Sequence, residues 1–452
     1  MERDRGAMRT IGQIIDNEQG MALILALMIL LTLTGLVLAF LSASAFEPQI
    51  SRNHSETVRA RYVAEAGIEY AYDSLASNVG SWNSYLVGAT CAQGAVLGVV
   101  DATLPGLGTA HGTFTVKIRN DCKLGDDKVT GVAVDTSLGS CDPAAPGDAT
   151  HDGNCKLIVT SNGTIGTTTR TVSVVVSKAA PLPINGALAF PGSQADVSMP
   201  SVAIDGRDTK IADRPGIPTG AGPAVYGIAV NGGLPALASR LETVLASGAR
   251  TDVLGRDRTG ASATARGGNA IQADGALTSQ AIADFVDAAR STADVTINAS
   301  PGSGSSLTNV GSTCATDTDS STCWGTSTHP KIVYVRGALS GAGRYTSLSL
   351  TGTNAGTGIL IVENSVMEIS GSFRWNGPII ATGRDVGIRF RGNGSQVVYG
   401  AAIVNELNPA AVANIEGDGM GKPEILYSSE GLGLVQNALK RRFVTMHSWT
   451  DQ

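Results

Sequence analysis

Gly20-Met-Ala-Leu-Ile-Leu-Ala-Leu-Met-Ile-Leu-Leu-Thr-Leu-Thr-Gly-Leu-Val-Leu-Ala-Phe-Leu-Ser-Ala-Ser-Ala-Phe46 carries no charge, and the next ionisable side chain is Glu47. A helix of this length spans the roughly 30 Å hydrocarbon core of a bilayer with every backbone polar group satisfied inside the segment. Three physical readings fit: a cleaved secretory signal, a permanent single-span anchor, or a helix that leaves the bilayer to pack against copies of itself. The apolar region of a secretory signal usually has only about 7–15 residues, so this run is long for that role, although Ala43-Ser-Ala45 offers the small residues of a cleavage site. The polar Asn17-Glu-Gln-Gly20 before the run and the helical pattern after it separate the other two readings.

Working outward, residues 1–19 are polar and mixed in charge, with Arg3, Arg5 and Arg9 against Glu2, Asp4, Asp16 and Glu18; either Met1 or Met8 can serve as the start. Basic residues flank the run on both sides, so they do not fix its orientation. The cysteines do. All six (Cys91, Cys122, Cys141, Cys155, Cys314, Cys323) follow the run, an even number on one side, as disulfides in an oxidising compartment require. Their spacings are unlike the CxxC pairs of a structural zinc site. Cys314 and Cys323 bracket one short Asp/Ser/Thr-rich loop and are expected to pair; the pairing of the other four stays open. With 56 glycines, 16% charged and 5% aromatic residues, the chain suits β-rich, turn-rich extracellular architecture. A net charge of -6 without a basic run excludes nucleic-acid binding as the default.

After Phe46 a helical pattern resumes. Pro48 is expected to kink or locally open the helix. From Ser51 to about Ser77, Val58, Tyr62, Ala66, Tyr70 and Asp73 fall near one face, with Ile68, Tyr72 and Leu75 on adjoining faces. Small residues alternating with long ones through Arg59–Ala71 fit a helix packed closely on a neighbour. A helix from Met21 to Ser77 would be on the order of 80 Å long, so only part of it fits in a bilayer.

A polar leader ending in Gly20, an uncharged apolar stretch directly after it, and a continuing helix carrying Ala64-Glu-Ala-Gly-Ile68 resemble the N-terminus of the type IV pilin superfamily. Asn17-Glu-Gln-Gly-Met-Ala-Leu23 and Tyr62-Val-Ala-Glu-Ala-Gly67 resemble PilX-type minor pilins in particular. The resemblance covers about residues 14–77. It implies cleavage by prepilin peptidase between Gly20 and Met21, methylation of the new Met21 amine, other pilins as partners through this helix, and residence in the inner membrane before assembly into a pilus. Residues after 46 are then extracytoplasmic. One departure stands out. Most major pilins carry Glu at the fifth residue after the cut, where it pairs with the terminal amine of a neighbouring subunit; here that residue is Leu25. An amine and a carboxylate buried together compensate each other, and either alone is costly. A subunit lacking the carboxylate fits best where no amine lies above it, at a filament tip or in an initiating complex.

From Val79 to Lys178 the pattern changes to short runs with alternating, β-branched character: Gly112–Ile118, Lys156–Thr160 and Thr169–Ser177, with Ser161-Asn-Gly163 read as a turn. A small antiparallel sheet against the exposed half of the long helix is expected. Ala179-Ala-Pro-Leu-Pro183 reads as a linker. Beyond it, Gly358-Ile-Leu-Ile-Val362, Gly377-Pro-Ile-Ile-Ala381 and Gly400-Ala-Ala-Ile-Val404 are similar pentads 19 and 23 residues apart. Met367–Ile369, Val386–Ile388 and Val397–Val398 lie between or beside them. Strands recurring at one coil of a solenoid, with glycine at corners, argue for stacked β-helix-like coils over a β-sandwich. Gly186–Phe190 and Gly227–Val230 read as further rungs. Two helices are expected, one with Leu234, Leu237, Leu241, Val244 and Leu245 on its apolar face, the other with Ile282, Phe285, Val286 and Ala289 and a cap at Thr278 or Ser279. Residues 249–276 read as a mobile surface excursion, and Gly431–Phe443 as an amphipathic helix closing the solenoid end.

The fold expected is therefore α+β: a long N-terminal pilin helix with a small β-sheet head, then a β-solenoid domain with inserted helices. Its parts are a leader (1–20), the helix (21–77, with 21–46 in membrane or filament core), the head (78–178), a linker (179–185) and the distal domain (186–452). Catalytic machinery is not legible. His54, His111, His151, His329 and His447 are dispersed, with no HExxH, GxSxG or phosphate-loop motif. Two acidic loops offer oxygen ligands for Ca²⁺: Asp142, Asp148, Asp152 and Asn154 near Cys141 and Cys155, and Asp317 and Asp319 between Cys314 and Cys323. Neither follows the EF-hand pattern. The function read from the sequence is a minor pilin acting at a filament tip in assembly priming or in adhesion to a glycan, host or abiotic surface. The alternatives are the large minor pseudopilin of type II secretion and a membrane-anchored, glycan-active β-helix enzyme.

Overall fold

The computed structural model describes all residues except 1–6, 103–111, 140, 142–144, 180–181, 199–201, 212–218, 247–252, 257–270, 342, 418–420, 440–443 and 452. It opens with helix α1 (Ala7–Ser77), whose helical assignment runs unbroken through Pro48. The proline removes one backbone donor without ending the helix.

The second half of α1 is the spine of the head. Against it lie β1 (Ala95–Ala102), β2 (Gly112–Asn120), the single turn α2 (Asp127–Thr130), β3 (Lys156–Ile165) and β4 (Thr168–Lys178). The expected strands are present and antiparallel, but Ser161–Gly163 continues β3, and the hairpin turns at Gly166-Thr167, directly after Ile165. The buried face of α1 is also not the Val58–Tyr62–Ala66–Tyr70 stripe, since Tyr62 is 59% exposed and Tyr70 41%. It is the neighbouring stripe of Ala60, Val63, Ala64, Ile68, Ala71 and Leu75. The reason is backbone proximity. A Cβ at Gly163 would stand 2.2 Å from Ala64 N and 2.4 Å from Ala60 O, and one at Gly67 would stand 2.1 Å from Ser161 Oγ. Helix and strand touch through small residues, so the large side chains turn aside.

The distal domain contributes β5 (Gly186–Phe190), β6 (Ala195–Ser198), β7 (Ala203–Asp205), β8 (Tyr226–Asn231), α3 (Pro235–Ala246), β9 (Val253–Leu254), β10 (Ile271–Asp274), α4 (Ser279–Arg290), β11 (Val295–Asn298) and β12 (Ser305–Thr308). It continues with β13 (Lys331–Arg336), β14 (Leu348–Thr351), β15 (Thr353–Glu363), β16 (Val366–Ser370), β17 (Ser372–Gly383), β18 (Gly387–Arg391), β19 (Gln396–Glu406), β20 (Ala413–Gly417), β21 (Glu424–Tyr427) and α5 (Ser429–Leu439). From β11 to β20 successive strands alternate between two all-parallel sheets, each pairing with the strand one coil away. The spacing of the pentads is the register: Leu360 pairs with Ile379, and Ile379 with Ala402. At the heads of the pentads Gly358, Gly377 and Gly400 have φ of 141°, 127° and 148°, and each approaches the carbonyl of the coil before it. These glycines divide β15, β17 and β19 in two. The halves after the glycine extend the wall through β13 and β5, while the half of β19 before it pairs with β21, which leads to β7 and β9.

Alternation within a pentad explains why all five residues are buried. Leu360 and Val362 face the interior core with Ile379, Ala381, Ala402 and Val404, whereas Ile359 and Ile361 face outward into a second cluster with Ile282, Phe285, Val286 and Val435. A wall apolar on both faces needs a cover. α4 supplies it, capped by the Thr278 side chain, which accepts from Ala281 N. Its Arg290 stacks on Tyr334 and pairs with Glu363 at 2.8 Å. α5 covers the same wall over β15, β17 and β19, so it does not close the end of the stack as expected. The end formed by β6, β8 and β10 is packed by α3, whose Leu237 and Leu241 enter the interior core; the side chains of Val244 and Leu245 fall outside the described residues.

Three further features depart from the sequence reading. The expected rungs at 186 and 227 do join the sheet, but out of order: the wall runs β10-β8-β5-β19-β17-β15-β13-β11, so α4 carries the chain from one end to the other. Residues 253–254 and 271–274, inside the expected surface excursion, are paired strands. Lastly, β22 (Val444–Asp451) leaves the distal domain and completes the head sheet beside β4, with Val444 opposite Lys178. Tyr72 OH of α1 donates to Val444 O at 3.0 Å.

The α1–β3 contact yields a stability prediction. Gly163→Val forces overpacking against helix backbone and is expected to cost about 3 kcal/mol or more, measured as denaturant unfolding of the head; an unchanged midpoint would contradict this packing.

Candidate functional site

From Met21 to Phe46 every described side chain of α1 is exposed, including Leu25 at 59% and Phe40 at 69%. It is the one helix long and apolar enough to cross a membrane among the described residues. Leaving more than twenty apolar side chains in water is prohibitively unfavourable at roughly 25 cal/mol per Å², so this surface is built for lipid or for other helices. The cut expected between Gly20 and Met21 lies within the helix. Beyond the apolar run, Arg52–Glu56 and Arg61–Glu65 form i,i+4 pairs at 2.9 Å, marking where α1 meets water. A single N-terminal apolar helix of this kind is consistent with a membrane-anchored precursor.

Three disulfides brace the part beyond it. Cys314 and Cys323 are bonded as the loop spacing implied, and the four open cysteines pair as Cys91–Cys122 and Cys141–Cys155. The latter two hold the segments around a buried polar cluster. There, Asp135 accepts from Asn120 Nδ2 and Gly153 N, Asp121 accepts from Asn154 Nδ2, and Arg119 binds Asp126 through two guanidinium nitrogens.

This network includes Asn154 and adjoins other residues considered as Ca²⁺ ligands. Asn154 donates through Nδ2 to Asp121 while its Oδ1 accepts from Lys156 N, Asp148 accepts from the backbone of Thr150 and His151, and Asp152 Oδ1 also accepts from Lys156 N; Asp142 lies outside the described residues. Asp317 accepts from Asp319 N in an exposed loop. No group of three or more His, Cys, Asp or Glu side chains is placed to hold a metal among the described residues.

On the distal domain, the sheet β12-β14-β16-β18-β20-β6 has α3 against its edge strand β6, while among the described residues no helix packs extensively on its central strands. Its inward residues Met367, Ile369, Ile388, Phe390 and Ile415 are buried, and its outward ones include the polar Glu368, Arg389, Arg391, Asn414 and Glu416. Across three coils Glu368, Arg389 and Glu416 are in register. Arg389 Nη1 lies 3.2 Å from Glu368 Oε1, and its Nε 3.0 Å from Glu416 Oε2. One end of this ladder opens into a cavity of about 340 Å³, bounded by Arg344 and Tyr345 from the β13–β14 loop, Asp385 at a corner, and the loop after β19. The sequence reading missed this groove, because residues two coils apart become neighbours only through the register.

Residues 19–69 match the family described as PilX N-terminal. The N-terminal region is pilin-like. None of the curated proteins matches the chain. Among solved structures, competence-associated pilin ComZ from Thermus thermophilus is similar over 88% of this chain and 98% of that one, at 12% identity and a TM-score of 0.25; a likeness that loose carries no argument. The chain thus joins a PilX-like N-terminal region to a disulfide-braced, β-rich remainder.

The buried cluster makes the head sensitive to pH. Burial pushes the Asp152 carboxyl up to about 7, with Lys178 opposing and Asp135 adding to the rise. Burial likewise lifts Asp121 to about 6, against the hydrogen bond from Asn154. Both folded values exceed the unfolded one, so the native state holds more protons between pH 4 and 7, and stability falls as pH rises through that window. Thermal unfolding of the full chain is expected to weaken by on the order of 2 kcal/mol from pH 5 to 8. Asp152→Asn, which keeps the oxygen that accepts from Lys156 N, should flatten that profile and raise stability at pH 8.

Proposed function

We propose that the chain is a minor pilin, cut by prepilin peptidase between Gly20 and Met21, whose helix moves from the bilayer into the core of a filament. The observation that carries this reading is the continuity of α1: one helix bears an uncharged, fully exposed half and a half that is the spine of a disulfide-braced head. In a filament core the exposed half exchanges lipid for neighbouring apolar helices, at little cost in hydrophobic free energy. Other pilins are then its partners, and the Met21 amine is available for methylation.

The parts divide as leader 1–20, helix 21–77, head 78–178, linker 179–185 and distal domain from 186, with 444–451 belonging to the head because β22 pairs with β4. The distal domain, a short β-solenoid with helical covers, is thus inserted between two neighbouring strands of the pilin head. Leu25 in place of a carboxylate and the bulk of the insertion favour a place at the tip, where neither a partner amine nor a stacked neighbour has to be accommodated. Priming of assembly and adhesion are the tasks such a position allows. The β-rich distal domain counts against the large type II pseudopilin, whose extra domain is mainly helical.

Mass spectrometry of the mature N-terminus, with and without prepilin peptidase, tests the reading. A chain beginning at Met21 only when the peptidase is present is expected; one beginning near Ser44–Glu47 would sink it. Immunogold labelling is expected at filament ends, and even labelling along the shaft would contradict the tip placement.

A further inference from the structure

The groove on the polar wall has the chemistry of a ligand site, and we propose that it binds a neutral oligosaccharide, held along the Glu368–Arg389–Glu416 ladder with Tyr345 as the ring-stacking side chain. This deepens the adhesive reading above and rests on it.

Shape comes first. Floor residues are supplied by β16, β18 and β20, and walls by the β13–β14 loop, Asp385 and the loop after β19. Parallel strands are spaced about 4.8 Å apart, so one coil advances by about the length of one sugar ring along a linear chain. The volume of about 340 Å³ lies within the range of small-ligand sites, roughly 300–1,000 Å³.

The walls are built, not loose. Thr346 N donates to Ala338 O at 2.9 Å, Ser340 N to Arg344 O at 2.8 Å, and Ser365 Oγ to Thr346 O at 2.7 Å, which fixes the loop carrying Arg344 and Tyr345. Asp385 Oδ2 accepts from Tyr345 N, and Glu406 accepts from Val386 N and Asn408 N. These two carboxylates therefore position the walls.

Charge selects the ligand class. The cavity lining holds two guanidinium groups, Arg344 and Arg389, and three carboxylates, Glu368, Asp385 and Glu406. A polyanion meets the carboxylates and a cation meets the guanidinium groups. A sugar hydroxyl both donates and accepts, so it can bridge a carboxylate and a neighbouring guanidinium, an arrangement the ladder repeats from coil to coil. The planar groups of the ladder orient one another before any ligand arrives, which lowers the ordering cost of binding. Arg344 has no ion pair among the described residues and remains a free donor at the rim. Tyr345 is the one aromatic side chain of the lining, half-buried beside it. Aromatic rings offer a flat apolar face with a polar tip, which suits a pyranose ring.

The test uses the full chain solubilised in an amine-oxide detergent, because maltoside headgroups would compete. Cellohexaose, maltohexaose and the N-acetylglucosamine hexamer serve as neutral probes, with hexagalacturonate as the anionic control, in titration calorimetry. At least one neutral hexamer is expected to bind with micromolar-to-millimolar affinity. Tyr345→Ala and Arg344→Gln, both rim positions, should each weaken it about tenfold, equivalent to about 1.4 kcal/mol, with the melting temperature unchanged. Glu368→Gln, on the floor, should weaken binding likewise. No binding by any neutral hexamer, binding of hexagalacturonate alone, or equal affinity in all variants overturns the proposal. Processing at Met21 measured on the same preparation separates the two readings. A correctly cut chain that binds no sugar sinks the groove alone, whereas a sugar-binding chain left uncut sinks the filament reading.

Discussion

Where β3 crosses α1, Gly163 lies against the backbone of Ala60 and Ala64, and Gly67 lies against Ser161. That contact joins the membrane-competent half of the helix to everything beyond it. A large side chain on either element would lift the sheet from the helix, and Val63, Ile68, Leu75, Phe114, Val116, Leu157, Val159 and Val174 would lose their common core. The disulfides Cys91–Cys122 and Cys141–Cys155 then fix the segments that lack strand partners. A head rigid at its root can hold a large insertion at a defined angle to the helix.

The insertion obeys a different constraint. Its coils close because Gly358, Gly377 and Gly400 take a backbone conformation other residues avoid, at points where the preceding coil leaves no space for a side chain. The resulting wall is apolar on both sides and is covered by α4 and α5, while among the described residues no helix packs extensively on the central strands of the opposite polar wall. Which wall can meet a ligand thus follows from which wall had to be buried. Because β4 and β22 are neighbours, both connections to the insertion leave the head from the same end of its sheet, at Lys178 and Val444.

Much of this was legible in the residues. The apolar run announced a helix long and apolar enough to cross a membrane, the Cys314 and Cys323 spacing gave one disulfide, and the pentads at 19 and 23 residues gave the coil register, because local periodicity and spacing survive folding. The losses are equally physical. The packing face of α1 was misassigned because alanine and glycine contribute little to an apolar stripe, although the spacing of Ala60, Ala64, Gly67 and Ala71 was the available signal. Val397–Val398 looked like a counterpart of Met367–Ile369, but it is continuous with its own pentad in β19, and the matching rung is Ile415 of β20. The placement of β5 beside β19 and the return of β22 beside β4 depend on pairing across hundreds of residues, and the groove depends on the register between successive coils, neither of which a local pattern encodes.

The central claim is that the exposed half of α1 ends in a bundle of like helices. A photo-crosslinking amino acid at position 25, activated in cells assembling filaments, tests it most directly. Adducts with the N-terminal segments of other pilins in the sheared filament fraction are the result this account predicts; adducts confined to lipid in the membrane fraction would contradict it.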